Sequence, residues 1–436
     1  MSVICQIFKE LVFLTALIIF VLCIFLFILD RFPLASVAAL GCTALVIFKA
    51  CTVQEAFSGF TSDIVFIVFG TEIFGIAFQE SGLSTLTARF IRNHSNGSNS
   101  AVKTRKIIVV GGTIAAVLSS FLNNQVVCSL MLVICMSISA QMKDIKVRDI
   151  TLPLIYFAIL GGQCTLIGAP ATLAASSVSE KMTGYRIAFF ELLPMGAIIF
   201  VLGVAYICIS GYRNGVRIWG NSAETDNTVL DTVGGFNGVD RKKCIITALS
   251  GFIMLILFIT ETFSVGTVSL IGAMICIFGG AVEQNKAFSR LDWNILIWLG
   301  CSIGMANVIS ESGALKNWCD AVISIIPDSP SPYIMLAAFV LLTTFVSNLI
   351  ANTTTVIMIL PFAIQLAERL GWSTVPFVIS ITMAAGLSVL TPLSCGFIGM
   401  TVRVGYKFSD YVRYGLVFQL ILTISVIVLT FMMYEF

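Results

Sequence analysis

The chain reads as a succession of long apolar runs separated by short polar joints. Runs of roughly 20 apolar residues, enough at the helical rise to cross a hydrocarbon layer about 30 Å thick, recur at 11–29, 33–50, 62–79, 150–168, 187–209, 243–260, 263–281, 292–309, 375–398 and 412–433. Each predicts a transmembrane helix. Two further apolar stretches, 107–141 and 333–370, are too long for one crossing and carry polar clusters at their centres, which predicts re-entrant hairpins. The expected fold is all-α and integral to the membrane, with about ten crossing helices and two hairpins. Asp30-Arg31-Phe32-Pro33 joins the first run directly to the second without a small-residue cleavage site, so the first run predicts a retained helix rather than a removable signal peptide.

Composition agrees: 58% of residues are hydrophobic and 11% charged, with a mean hydropathy of +1.00, which excludes an ordinary soluble domain. With both termini placed outside a plasma membrane, all but six of the 25 Lys and Arg fall on the inner side, the exceptions being Lys9, Lys49, Lys181, Arg186, Lys316 and Arg369. These basic residues read as membrane-side anchors, not as a nucleic-acid footprint. The 13 cysteines form no CxxC pair and sit mostly within the apolar runs, as small packing residues. His94, the single histidine, lies in a polar stretch, so no histidine cluster for a transition metal exists. Gly300-Cys301-Ser302-Ile303-Gly304 matches the serine-hydrolase pattern but lies inside a span and lacks a histidine partner, so no enzyme is expected. Glu72, near the middle of the third run, is a buried acid that could carry a proton.

The chain also repeats itself. Ala56-Phe57-Ser58 recurs as Ala287-Phe288-Ser289 and Glu80-Ser81-Gly82 as Glu311-Ser312-Gly313, both 231 residues on. With small gaps, Asn124 then faces Asn352, Pro170 faces Pro392, and Gly184-Tyr185-Arg186 faces Gly405-Tyr406-Lys407. Each half holds an odd number of crossings and one hairpin, so the second half enters the membrane inverted. The expected organisation is a first repeat over 1–210, a polar cytoplasmic linker over 211–242 and a second repeat over 243–436.

Polar clusters at mid-membrane are the candidate site. The hairpin tips read Ser119-Ser120-Phe121-Leu122-Asn123-Asn124-Gln125 and Ser347-Asn348-Leu349-Ile350-Ala351-Asn352-Thr353. Amides and hydroxyls are costly there unless they line a watery cavity or are packed in protein. Two further clusters, Leu160 to Pro170 and Ser388 to Ser394, contain helix-breaking proline and predict broken helices. A break exposes carbonyls, which suit a cation, and free N–H groups, which suit an anion.

At these residues the chain resembles the divalent anion:sodium symporter family, the di- and tricarboxylate and sulfate carriers of the wider ion transporter superfamily. The matching segments are Glu55-Ala56-Phe57-Ser58-Gly59-Phe60, Phe121-Leu122-Asn123-Asn124, Thr165-Leu166-Ile167-Gly168-Ala169-Pro170 and Gly405-Tyr406-Lys407-Phe408-Ser409-Asp410-Tyr411. The resemblance implies a homodimer in membrane lipid, each protomer with a scaffold and a moving transport domain of the elevator type. It implies secondary transport of a small divalent anion, a C4-type dicarboxylate, coupled to Na+ with no organic cofactor. The alternatives are dicarboxylate exchange or proton coupling and, in a different class, an ion channel or membrane-embedded enzyme.

The family's tips carry Ser-Asn-Thr triplets, where this chain has Asn123-Asn124-Gln125 and Ala351-Asn352-Thr353. Carried over, one sodium site uses Ser119, Asn123, Asn124 and the Gly168 carbonyl, and the other Ser347, Ala351, Asn352 and the Leu390 carbonyl. The implied substrate contacts are Asn124, Gln125, Ala169, Asn352, Thr353, Thr391 and Pro392, with Ala169 standing where a hydroxyl residue is usual. No Lys or Arg lies in the four clusters, so the anion would be neutralised by the cation and by amide dipoles.

Overall fold

The computed structural model describes residues 32–95, 97, 99–142, 144–219, 239–260, 262–312, 331–391, 396–399, 401 and 404–436, with scattered positions between 15 and 26. Every regular element among the described residues is helical. In the first half, α1 (Leu34–Ile47) leads to α2 (Asp63–Glu80). Gly82, in the left-handed region at φ 84, then turns the chain by 65° into α3 (Leu83–His94). The hairpin α4 (Ser100–Phe121) and α5 (Asn124–Gln141) follows, then α6 (Val147–Gly162) and α7 (Pro170–Thr183), and α8 (Leu193–Tyr206), which continues through a π turn into α9 (Tyr212–Trp219). The second half holds α10 (Arg241–Thr260), α11 (Val265–Phe278), α12 (Gln284–Arg290) and α13 (Trp293–Ser312). Its hairpin is α14 (Pro332–Ser347) and α15 (Asn352–Arg369), followed by α16 (Val375–Gly386) and α17 (Phe408–Met433).

Apolar runs and continuous helices do not coincide. The run 150–168 ends as a helix at Gly162 and the run 375–398 at Gly386, so neither run is one continuous helix. Among the described residues, Leu193–Trp219, Arg241–Thr260 and Phe408–Met433 are long and apolar enough to cross a bilayer, with shorter apolar helices around them. These three bury 28%, 28% and 33% of their apolar windows inside the protein and leave the rest for lipid. The interrupted helices do the opposite: α6 from Ile150 to Gly162 and α16 from Pro376 to Gly386 are buried at every position. Burial on every side places both helices, and the breaks that follow them, in the interior of the protein. The fully buried rings of Tyr156, Phe157, Phe377 and Phe418 pack around them.

The expected linker 211–242 is helical at both described ends. Tyr212 to Trp219 forms α9, and Trp219 Nε1–H donates to Asp149 Oδ1 at 3.0 Å. Arg241 already begins α10, and residues 220–238 lie outside the described set. The amphipathic α3, absent from the ten runs because it carries Arg89 and Arg92, exposes Leu86 and Phe90 and buries Ala88 and Ile91.

Helix packing concentrates in two groups, joined by contacts of α13 with α7 and α15 and of α2 with α5 and α7. In one, α2 packs on α11, α1 on α13 and α10 on α11; in the other, α4 and α5 pack on α6, α15 on α7 and α16, α14 on α16, and α17 on α8 and α16. Polar contacts also join segments distant in the chain. Glu80 pairs with Lys286 Nζ at 2.5 Å and Arg290 Nη1 at 2.7 Å, and Arg148 Nη2 donates to the Gly405 carbonyl at 2.6 Å. Asp63 accepts from Arg186 at 2.9 Å and from Ser264 Oγ at 2.6 Å. The Glu80 carboxylate is 6% exposed while its partners are 44% and 45% exposed. Glu80→Gln is therefore expected to lower the unfolding temperature in detergent by an amount equal to about 1–2 kcal/mol. That is below the ~3–5 kcal/mol of a fully buried pair, because the half-exposed cations rehydrate.

Candidate functional site

The first tip is a sharp change of direction between two helices. α4 ends at Phe121, Leu122 is extended, and Asn123 caps α5 by accepting the Gln125 N–H at Oδ1, 3.0 Å away. The tip is sewn to the α6–α7 break. Asn124 N–H donates to the Gly168 carbonyl at 2.9 Å, Ser120 Oγ to the Gly161 carbonyl at 2.9 Å, and Thr165 Oγ1 to the Ser120 carbonyl at 2.5 Å. Ser119 Oγ donates to Asn124 Oδ1. Ser119, Asn123 and Asn124 are 0%, 2% and 1% exposed, so these bonds replace water completely.

The second tip repeats the pattern. Ser347 Oγ lies 2.8 Å from Asn352 Oδ1 and 2.9 Å from the Ala385 carbonyl, and Ser388 Oγ donates to Asn352 Oδ1 at 2.6 Å. Thr391 Oγ1 donates to the Asn348 carbonyl, and Leu390 N–H to Asn348 Oδ1 at 2.8 Å. Ala351 is the N-cap of α15 without a side-chain cap, its carbonyl taking the Thr355 N–H at 3.0 Å. Val389, in the break, needs partners for both its backbone groups. Gln419 Oε1 accepts its N–H at 2.9 Å, and the Tyr156 hydroxyl donates to its carbonyl at 2.8 Å.

A threonine hydroxyl meets the tip carbonyl in both halves, Thr165 that of Ser120 and Thr391 that of Asn348, although counting from the prolines places Ala169, and not Thr165, opposite Thr391. Gly162 lies against the Asn124 amide as Ser388 lies against that of Asn352. Ala169 is the extended N-cap of α7, and Pro392 lies outside the described residues.

Ser119, Asn123, Asn124 and Gly168 thus come together, as do Ser347, Ala351 and Asn352, with Leu390 held beside them through Asn348. Thr353 is buried in the first turn of α15. Gln125 departs from expectation: its Nε2 donates to Asp292 Oδ2 at 3.2 Å. Sequence reading passed over Asn348, Gln419 and Ser388 as site residues. The available signal was an amide in the apolar run 412–433 and the polar side chains already inside the two clusters.

The two breaks meet. Gln163, 0% exposed, lies against Gly386, where a Cβ would fall 2.3 Å from its Nε2. Around this junction α5, α7 and α15 begin, presenting N–H ends, while α4, α6, α14 and α16 stop, presenting carbonyls. The arrangement offers partial positive charge to an anion and neutral oxygens to a cation. Among the described residues no group of three or more His, Cys, Asp or Glu is placed to hold a metal ion, so a cation here would depend on Ser and Asn oxygens and carbonyls, a set that fits a hard ion. A cavity of about 370 Å³ lies beside α7, reaching Leu166 in the break and Lys181 and Arg186 at the far end of the helix.

Interrupted helices and polar tips enclosed by apolar helices define a multi-pass membrane transporter, not an enzyme. The chain belongs to the citrate transporter (CitMHS) family, whose sequence model matches residues 24–326 and 255–436. It is 23% identical over 401 residues to the sodium-dependent dicarboxylate transporter SdcS of Staphylococcus saprophyticus, covering 84% of this chain and 75% of the relative. It is 22% identical over 397 residues, with the same coverage, to SdcS of Staphylococcus aureus. Among solved structures the fold is similar to the YdaH transporter of Alcanivorax borkumensis, with a TM-score of 0.57, 13% identity and 88% of each chain covered. It is also similar to MtrF of Neisseria gonorrhoeae, with a TM-score of 0.52, 12% identity, and 89% of this chain and 84% of that one covered.

Proposed function

We propose that the protein is a sodium-coupled secondary transporter of a small divalent anion, a C4-type dicarboxylate, in the plasma membrane with both termini outside. The observation that carries this reading is the pair of matching tip-and-break sites, rich in oxygens and helix N-termini and free of Lys and Arg. An anion at such a site needs a co-bound cation, which makes binding cation-dependent. Sodium is held by Ser119, Asn123, Asn124 and the Gly168 carbonyl in one half and by Ser347, Ala351, Asn352 and the Leu390 carbonyl in the other. The anion sits between them against Asn124, Gln125, Asn352, Thr353 and the Thr391 region. The names of the SdcS relatives support both the ion and the substrate class.

The two helix-packing groups supply a scaffold and a transport body, so an elevator motion of the second against the first, within a homodimer, is the mechanism we favour. In this reading 1–210 and 243–436 are inverted repeats, and both hairpins turn back within the membrane.

The test is uptake of radiolabelled succinate, with citrate in parallel, into proteoliposomes carrying an inward sodium gradient, a choline control or a proton gradient. Sodium-driven accumulation at least tenfold above choline is expected. Uptake driven by protons alone would transfer coupling to Glu72, and uptake only into dicarboxylate-preloaded vesicles would make the protein an exchanger.

A further inference from the structure

Gln125 is a tip residue whose side-chain hydrogen bond reaches the other packing group. Its Nε2 donates to Asp292 Oδ2 at 3.2 Å, and Asp292 stands at the start of α13, which packs on α1 and α2. Asp292 is itself held rigidly. Its backbone N–H donates to Glu72 Oε2 on α2 at 3.0 Å, and its Oδ1 accepts the N–H groups of Asn294 at 3.1 Å and Ile295 at 3.3 Å, capping α13. None of the salt bridges among the described residues involves Glu72 or Asp292. The tip amide is therefore bound to a fixed carboxylate that no basic side chain among the described residues shares in a salt bridge.

A carboxylate is also the group that a dicarboxylate would bring to Gln125. We infer that Asp292 is a specificity-determining positioning residue: in the anion-free protein its carboxylate stands in for a substrate carboxylate on Gln125 and latches the first hairpin tip to the scaffold. The inference rests on the anion-binding role given to Gln125 above. An incoming anion must displace Asp292, and its charge repels the carboxylate it replaces. Apparent affinity is then the intrinsic affinity reduced by the fraction of molecules whose tip is free. The latch also disfavours release of the tip for any solute that lacks a carboxylate or similar oxyanion to take over the amide.

Asp292→Ser separates the two roles of the residue, since serine caps a helix as well as aspartate does but is too short to reach Gln125. Succinate binding to the purified full-length transporter and uptake kinetics in proteoliposomes would be measured for the wild type, Asp292→Ser, Gln125→Ala and the double variant. Asp292→Ser is expected to lower the apparent Kd and KM about fivefold with a smaller change in kcat, Gln125→Ala to raise them, and the Asp292 effect to vanish once Gln125 is alanine. A purely structural role would lower folded yield and kcat without tightening binding. Unchanged or weaker binding in Asp292→Ser, with Gln125→Ala still impaired, overturns the latch alone. Normal binding in Gln125→Ala overturns both the latch and the anion-binding role of Gln125. Should Asp292→Ser fail to fold, Asp292→Asn, which keeps the cap and removes the charge, must tighten binding at least twofold for the latch to stand.

Discussion

Asn352→Ala and, in the other half, Asn124→Ala are each expected to reduce sodium-driven uptake to background while leaving a folded protein. Asn352 Oδ1 gathers Ser347 Oγ at 2.8 Å and Ser388 Oγ at 2.6 Å. Both hydroxyls keep an alternative acceptor in the Ala385 carbonyl, at 2.9 Å and 3.1 Å. The folded state therefore loses only about 1 kcal/mol per neutral hydrogen bond. The site loses far more, because one amide oxygen that would face a cation and one amide N–H that would face an anion disappear together. Hydrogen bonds to charged groups are worth ~1.5–3 kcal/mol each, so the pair accounts for a loss on the order of 10²-fold or more. Size-exclusion profiles and thermal unfolding in detergent should match the wild type while uptake does not. Wild-type uptake in both variants would remove these residues from the site.

Gly162→Ala is the second large effect, and it is expected to separate activity from stability. A Cβ on residue 162 would fall 2.0 Å from Asn124 Oδ1 and 2.8 Å from its Nδ2. The Asn124 backbone is fixed by its bond to Gly168, so the amide has to swing away and give up the Ser119 hydroxyl. Alanine meanwhile favours the last turn of α6 over glycine by about 0.5–1 kcal/mol. The lost buried hydrogen bond, about 1 kcal/mol, offsets that gain, so the variant should unfold at a temperature equal to or slightly below that of the wild type and transport about 100-fold more slowly at low sodium, with partial recovery at high sodium. Recovery identifies lost cation affinity, and an unaffected transporter would show that Asn124 is not held where a ligand needs it. In the second half the side chain beside the tip asparagine is Ser388, whose hydroxyl itself donates to Asn352.

Much of this protein was legible in one dimension, and for a physical reason. Water and hydrocarbon sort residues by local polarity, so run length and composition were sufficient to read an all-helical membrane protein. Helix ends follow from local backbone chemistry, and Pro170 at the start of α7, Gly162 at the end of α6 and the Asn123 cap of α5 stand where such residues belong. The two tips, with Ser119 and Asn124 in one and Ser347 and Asn352 in the other, were visible as amides and hydroxyls too costly to leave in an apolar run without a partner.

What the sequence left open depends on contacts between residues far apart in the chain. The like roles of Thr165 and Thr391 came from the bonds each makes to a tip carbonyl, which counting from the prolines does not reveal. Gln419 closes the second break across 30 residues, and Gln125 reaches Asp292 across 167; no local pattern announces either, because an amide is equally ready to bond substrate, backbone or carboxylate. The burial of α6 and α16 on every side was likewise decided by packing, since an apolar run suits lipid and protein interior alike. Local polarity and backbone preference determined which segments are helices and where they break, while the tertiary structure alone decided which partner each polar group in those breaks has, since only packing brings distant donors and acceptors within hydrogen-bonding distance of one another.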